Sequence, residues 1–140
     1  VDIDWEWRTG SGAPGNVERP EDVENFVLLL QSLRGHLDRQ GERDGRHYVL
    51  TIAAGAGRNA YEPLDWPRIH PLLDFINVMT YDFSGSWSAR TGFNAPLYDS
   101  TTDPVEGGSA DTTVRGLMAR GVPPDKLVLG VPFYGRGWTG

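Results

Sequence analysis

The first seven residues, Val1 to Trp7, alternate apolar and acidic side chains. Because successive side chains of a β-strand point to opposite faces, this pattern places Asp2, Asp4 and Glu6 on one face of a strand and the apolar residues on the other. At a rise of about 3.3 Å per residue, neighbouring carboxylates in such a row lie roughly 6.6 Å apart. We therefore predict a strand that packs against the protein on one side and presents a row of carboxylates on the other.

The acidic row favours a general acid. Carboxyl groups in one poorly solvated row repel each other, so at least one of them is expected to keep a proton near neutral pH. Such a group can protonate a substrate, and we assign this role to Glu6, which has the longest reach and lies nearest the chemical end of a parallel strand. Two other interpretations stay open on the pattern alone. They are a solvated face of an antiparallel sheet and a site for a hard cation such as Mg²⁺ or Ca²⁺.

Composition narrows the classes of partner. The chain has 140 residues, 39% of them hydrophobic, which fits one small globular domain rather than a disordered segment. The net charge of −6 argues against nucleic acid or an anionic membrane as a partner, because phosphate contacts need basic clusters. No apolar stretch is long enough to cross a bilayer. Cysteine is absent, which excludes disulfides and thiolate metal sites.

Predicted helices and strands alternate along the rest of the chain. Apolar residues at helical spacing predict a helix over 20–40, beginning at Pro20 and stopping at Gly41, and a second over 110–120, capped by Ser109 and ended by Gly121. Short apolar runs predict three buried strands, and a short helix is predicted between the first and the second of these strands. The strands cover 48–55, 75–82 and 127–133, and the short helix covers 67–73. This order predicts an α/β fold with a parallel sheet and helical crossovers.

The strand over 75–82 leads into a long loop. By strand parity Asn77, Met79 and Tyr81 share one face. Loops as long as this one, residues 84–108, are usually functional or disordered in compact domains. Its aromatic residues favour a surface on which sugar rings stack. The alternative is that they only anchor the loop, which the pattern favours more for Phe93 and Tyr98 than for Trp87.

Several of these segments resemble known motifs. Asp2-Ile3-Asp4-Trp5-Glu6 resembles the end of the D-G-x-D-x-D-x-E signature of the family 18 glycoside hydrolases, the chitinases. Residues 79–83 (Met-Thr-Tyr-Asp-Phe) resemble the strand-6 motif of that family, 130–138 (Gly-Val-Pro-Phe-Tyr-Gly-Arg-Gly-Trp) its strand-7 motif, and 91–98 a loop common in bacterial members. The resemblance covers nearly the whole chain. It implies a partial (β/α)₈ TIM barrel, about strands 4 to 7, in a type of chitinase with a small insertion domain after strand 7.

Four parallel units are half of such a barrel and leave sheet edges open on both sides. We therefore expect residues 1–140 to be a fragment of a single catalytic barrel, incomplete at both ends, that does not fold stably alone.

The resemblance also implies residue roles. Glu6 is the general acid that then acts as the base, Asp4 orients the 2-acetamido group of the substrate, and Asp2 tunes that pair electrostatically. Tyr81 donates a hydrogen bond to the acetamido carbonyl. The other implied substrate contacts are Met79, Asp82, Trp87, Tyr134 and Arg136.

The implied activity is that of an endo-acting chitinase. It cleaves β-1,4 linkages of chitin or chitooligosaccharides with retention and assistance from the substrate, and it needs no metal or cofactor. The implied protein is secreted and monomeric, with no nucleic-acid or membrane partner. Two alternatives are an endo-β-N-acetylglucosaminidase that acts on N-glycans and a chitin-binding lectin on the same fold. The lectin is disfavoured because Asp2, Asp4, Glu6 and Tyr81 are all present.

Overall fold

Four parallel strands form one sheet in a computed structural model, which describes residues 1–6, 15–105 and 107–139. The order across the sheet is the order along the chain, and each strand pairs with the one before it. The strands are β1 (Asp2–Ile3), β2 (Thr51–Gly55), β3 (Phe75–Met79) and β4 (Leu127–Leu129). All of their carboxyl ends therefore meet at one edge of the sheet.

Helices connect the strands. They are α1 (Asp22–Asp44), α2 (Arg58–Tyr61), α3 (Trp66–Ile69), which continues into a 3₁₀ turn (His70–Leu72), and α4 (Ala110–Ala119), which precedes a second 3₁₀ turn (Pro124–Lys126). Within the described ranges, no helix has both the length and the apolar composition needed to cross a bilayer. The alternation of strands and helices confirms the α/β prediction.

The core lies between the sheet and the helices. Side chains alternate along each strand, so Ile52 of β2 and Ile76 and Val78 of β3 face the helices and are buried. Trp66 at the start of α3 is fully buried, and its indole N–H donates to the carbonyl of Tyr61 at 2.7 Å. This bond satisfies the one polar atom of the ring, which makes the burial of a large aromatic side chain favourable.

The first strand divides its side chains as the alternation predicts. Ile3 and Trp5 pack against the core, and the Trp5 ring meets Phe26 of α1 edge-on at 5.7 Å. Asp2 and Asp4 lie on the exposed side. Since β1 is parallel to β2, the antiparallel interpretation of the acidic row is wrong. Trp7, the last residue of the alternating run, lies outside the described residues.

Helix α4 has the predicted ends. The Ser109 hydroxyl accepts a hydrogen bond from the N–H of Thr112 at 3.2 Å, and Gly121 follows the helix with φ +90°. These are a side-chain N-cap and a left-handed C-terminal glycine.

Helix α1 differs from the prediction at both ends. It begins at Asp22 rather than Pro20, and it passes Gly41 to end at Asp44; the next residue, Gly45, has φ +65° and donates its N–H to the carbonyl of Gly41. Gly41 does not end the helix, and its lack of a side chain has another structural role. A Cβ atom there would lie 2.4 Å from the carbonyl oxygen of Arg46, so this glycine permits the close approach of the returning chain.

The strands are shorter than predicted, and one loop is partly helical. Residues 48–50 precede β2, 130–133 follow β4, and Arg58–Tyr61 form α2 where a loop is predicted. At the end of β3, the N–H of Tyr81 donates to the carbonyl of Met79 at 2.8 Å. A tight turn therefore replaces the sheet ladder at this point, and Tyr81 lies just beyond the strand.

Candidate active site

The carboxyl edge of the sheet brings the acidic row and Tyr81 together. Burial raises the pKa of the Tyr81 phenol, and the negative charges of Asp4, Asp82 and Glu6 raise it further, in that order. These three carboxylates therefore lie near enough to the phenol to act on it electrostatically, although β1 and β3 are far apart in the sequence. Since the ordinary value for tyrosine is 10.0, the phenol remains a hydrogen-bond donor throughout the neutral range.

Glu6 is exposed. It lines a cavity with Trp5 and Gly55, and other walls of that cavity come from the core between the sheet and the helices, including Phe26 and Trp66. Tyr81 is not among the residues that line this cavity, so the position of Glu6 in one cleft with Tyr81 stays a prediction. In the part of the chain that the structure describes, no group of three or more His, Cys, Asp and Glu side chains could hold a metal ion.

Asp2 is held by donors from two neighbouring strands. The Thr51 hydroxyl of β2 donates to its Oδ1, and the Asn77 amide of β3 donates to the same oxygen at 3.3 Å. These contacts fix the start of the acidic row relative to the rest of the sheet. Strand parity placed Asn77 on the site face, but no local pattern identified Thr51, which lies 49 positions from its partner.

Asp82 and Arg136 form an ion pair between the segments that follow β3 and β4. The Nε atom of Arg136 lies 3.1 Å from Asp82 Oδ1, and Nη2 donates to the same oxygen. The guanidinium also lies over two aromatic rings, at 4.7 Å from the centroid of Trp87 and 5.7 Å from that of Tyr134. The ring of Tyr134 meets Tyr81 edge-on at 6.3 Å. These contacts form one continuous row of polar and aromatic groups that runs from Trp87 to Tyr81.

Trp87 presents a flat surface to solvent. Its side chain is 61% exposed, and the ring packs over Gly85, where a Cβ atom would lie 2.5 Å from the indole. Phe93 and Tyr98 are 50% and 65% exposed, so the structure does not support the prediction that their side chains anchor the loop. Met79, the last residue of β3, is half-buried on the face that it shares with Asn77.

Gly130 determines how closely β4 and Tyr81 approach β3. Its N–H donates to the carbonyl of Val78 at 2.8 Å, and its own carbonyl accepts from the Thr80 hydroxyl at 2.7 Å. A Cβ atom at this position would lie 2.6 Å from the Val78 oxygen and 3.0 Å from Cε1 of Tyr81. The absence of a side chain is therefore required for the observed position of the phenol.

We expect Gly130→Ala to destabilise the protein by about 1–3 kcal/mol, the usual cost of overpacking. Either the strands separate or the Tyr81 ring moves. Chemical denaturation of the full-length protein measures the loss, with Gly137→Ala as the matched control because a Cβ atom there would meet nothing within 4 Å. Equal stability of the two variants would contradict the steric argument.

Comparison with known proteins identifies the family. Residues 1–140 match the sequence model of the glycosyl hydrolases of family 18. The chain is 45% identical to Chitinase A1 of Niallia circulans over 146 residues, which cover 100% of this chain and 21% of that protein. The chain thus spans about a fifth of this relative.

Solved structures give the same result. Chitinase ChiA74 from Bacillus thuringiensis superposes with a TM-score of 0.92 at 47% identity, over 99% of this chain and 22% of that one. A family 18 N-acetylglucosaminidase from Paenibacillus barengoltzii gives a TM-score of 0.87 at 43% identity, over 96% and 39% of the two chains. The predicted partial TIM barrel is confirmed by these neighbours. The chain belongs to the glycosyl hydrolases of family 18.

Proposed function

We propose that this chain supplies the catalytic carboxylates of a chitinase, which hydrolyses β-1,4 linkages between N-acetylglucosamine units. The observation that carries the proposal is that the segments after β1 and β3 bring Asp4, Glu6 and Tyr81 to the carboxyl edge of one parallel sheet, where the two carboxylates act electrostatically on the phenol. In (β/α)₈ barrels that edge is where the active site lies. The family membership and the chitinase relatives support the same substrate class.

The arrangement of carboxylates favours assistance from the substrate. An ordinary retaining glycosidase places a carboxylate nucleophile about 5–5.5 Å from the acid, on the other side of the sugar. Here Asp2, Asp4 and Glu6 come from one short segment and lie on one side. We therefore assign the nucleophile to the acetamido oxygen of the substrate, as in other family 18 enzymes.

In the proposed reaction Glu6 donates its proton to the glycosidic oxygen while the acetamido oxygen attacks the anomeric carbon. The bond to the leaving sugar breaks, and the cleaved sugar becomes an oxazolinium ion. Glu6, now ionised, takes a proton from water, which attacks the same carbon and releases the acetamido group. Two displacements at one carbon retain its configuration.

Asp4 and Tyr81 hold the acetamido group in this proposal. The phenol donates to the acetamido carbonyl, and the Asp4 carboxylate stabilises the positive charge that develops on the ring being formed. Asp2, fixed by Thr51 and Asn77, sets the electrostatic environment of Asp4. Met79, Asp82, Trp87, Tyr134 and Arg136 contact the neighbouring sugars.

A direct test uses the full-length protein that contains this chain. We expect it to release reducing ends from colloidal chitin, and proton NMR of the first products should show the β anomer. Binding to chitin without release of sugar would favour the lectin alternative, and an α-anomeric first product would contradict the retaining mechanism. Because an insoluble polymer cannot enter a cell, we also propose that the protein is secreted. We propose that it acts as a monomer.

One comparison favours a second candidate. The neighbour from Paenibacillus barengoltzii is described as an N-acetylglucosaminidase, and it shares 43% identity with this chain. A panel of colloidal chitin, chitooligosaccharides and N-glycans separates the candidates. Internal cleavage of chitin supports the chitinase, release of N-acetylglucosamine alone supports the second candidate, and cleavage of N-glycans alone supports the endo-β-N-acetylglucosaminidase alternative.

Trp87→Ala should weaken polymer binding more than chemistry. The exposed indole offers a stacking surface beside Arg136, away from the acid. Loss of an aromatic contact of about 0.5–1.5 kcal/mol raises KM for chitin by roughly 2- to 13-fold, with little change in kcat. Steady-state kinetics on chitin measure both constants.

Tyr98→Ala is the matched control for this prediction, since it removes an equally exposed aromatic side chain from the same loop. A similar rise in KM for both variants would show that Trp87 has no specific role in binding.

A further inference from the structure

The loop beside the site contains a residue with two hydrogen bonds to the turn that follows β3, residues 81–83. Residues 91–98, one of the motifs in the sequence, cross from the end of β3 to the start of α4. We propose that Asn94 in this loop is a positioning residue, which holds the turn at Asp82 and thereby fixes the preceding Tyr81. The proposal rests on the function proposed above and adds a residue to it.

Asp82 has an unusual backbone conformation. Its φ is +59°, and in the described part of the chain it is the single non-glycine residue with positive φ. Side chains disfavour this left-handed region, although aspartate tolerates it better than most. A residue keeps such a conformation only where its surroundings enforce it.

Asn94 stabilises this conformation of Asp82 through two hydrogen bonds. Its side-chain oxygen Oδ1 accepts a hydrogen bond from the N–H of Asp82 at 3.2 Å, and its backbone carbonyl accepts one from the N–H of Phe83 at 3.1 Å. Two successive amides of the turn therefore donate to a single residue of the loop. On the other side of the turn, the Asp82 carboxylate is bound by Arg136.

The loop is itself fixed to the helix that follows it. The carbonyl oxygens of Pro96 and Leu97 accept from the N–H groups of Ala110 and Asp111, each at 2.9 Å. These bonds satisfy amides in the first turn of α4, which have no partner within the helix. Asn94 is therefore held from α4 and transmits that constraint to the turn at Asp82.

The consequence concerns Tyr81, because it is bonded directly to Asp82. A change in the Asp82 backbone rotates the Tyr81 segment and moves the phenol relative to Asp4, Glu6 and Asp82, whose charges act on it. The phenol acts on the transition state rather than on general substrate affinity, so a misplaced phenol lowers kcat more than it raises KM.

The test compares two variants of the full-length protein. Asn94→Leu keeps the approximate size but removes the acceptor, whereas Asn94→Asp retains an acceptor oxygen. For the leucine variant we expect kcat on a soluble chitooligosaccharide to fall about tenfold, which corresponds to one net hydrogen bond, with KM changed less than about twofold. The aspartate variant should recover most of kcat. Asn59→Leu, at an exposed asparagine of α2, is the matched control.

Amide hydrogen exchange provides a readout that does not depend on activity. The Asp82 amide should exchange about tenfold faster in Asn94→Leu, whereas the Phe83 amide is an internal control, because its acceptor is a backbone oxygen that every variant keeps. Unchanged exchange at Asp82, or an aspartate variant as slow in catalysis as the leucine variant, would overturn the positioning role. If the wild-type protein cleaves none of the substrates, the proposed function is wrong. Faster exchange of the Asp82 amide in Asn94→Leu would still show that Asn94 stabilises the turn.

Discussion

Glu6→Gln should lower the rate of chitin hydrolysis by about 10²- to 10⁴-fold, the usual contribution of a general acid or base. The amide cannot protonate the glycosidic oxygen at neutral pH, yet its shape is nearly that of the carboxyl group. Binding of chitooligosaccharides should therefore persist. Release of reducing ends by the full-length protein measures the first effect, and calorimetric titration of an oligosaccharide measures the second.

Glu42→Gln is the matched control for this loss, because it makes the same chemical change on the exposed surface of α1. It should hydrolyse chitin at the wild-type rate. Hydrolysis by Glu6→Gln within tenfold of wild type would show that another group donates the proton.

Asp4→Asn should lower kcat by about 10²- to 10³-fold, the range found when one group that stabilises charge in a transition state is removed. In the proposed mechanism its carboxylate faces the positive charge of the oxazolinium ion, and a neutral amide cannot replace that interaction. Steady-state kinetics on a soluble chitooligosaccharide measure the loss. Asp125→Asn, at an exposed position before β4, is the matched control.

The leaving group distinguishes the two carboxylates. When the substrate carries a nitrophenol group, the nitrophenolate leaves without being protonated. The rate of bond breaking by Glu6→Gln should therefore be partly restored on this substrate. Asp4→Asn should remain slow on the same substrate, because it impairs formation of the ring rather than departure of the leaving group. Recovery of both variants to a similar extent would contradict the separate roles.

Much of the fold follows from periodicity. The alternation of apolar runs with helical spacing predicted the parallel sheet, and strand parity predicted which face of β1 is exposed and which residues of β3 share a face. The end of α1 could not be predicted in this way, because Gly41 and Gly45 carry the same local signal. The choice depends on the close approach of Arg46 to Gly41, a contact that forms only after the chain has turned back.

In the site, too, the sequence does not predict contacts between segments that meet only in the folded protein. The acidic row and Tyr81 could be predicted because they belong to strand ends with recognisable patterns. The roles of Thr51 and Asn94 could not, since each acts through a hydrogen bond to another segment of the chain; Asn94 lies in a recognisable loop motif, but the motif does not reveal its bond to the Asp82 amide. Residues that hold a site together therefore become visible only when the strands are placed side by side.

The order of the strands affects how such a sheet can be assembled during synthesis. Since each strand pairs with its predecessor in the chain, every segment that leaves the ribosome finds its neighbour already made. Domains are generally built from the N-terminus during translation. A sheet of this topology can grow by one unit at a time, and its most recent strand remains open to the solvent until the next one arrives.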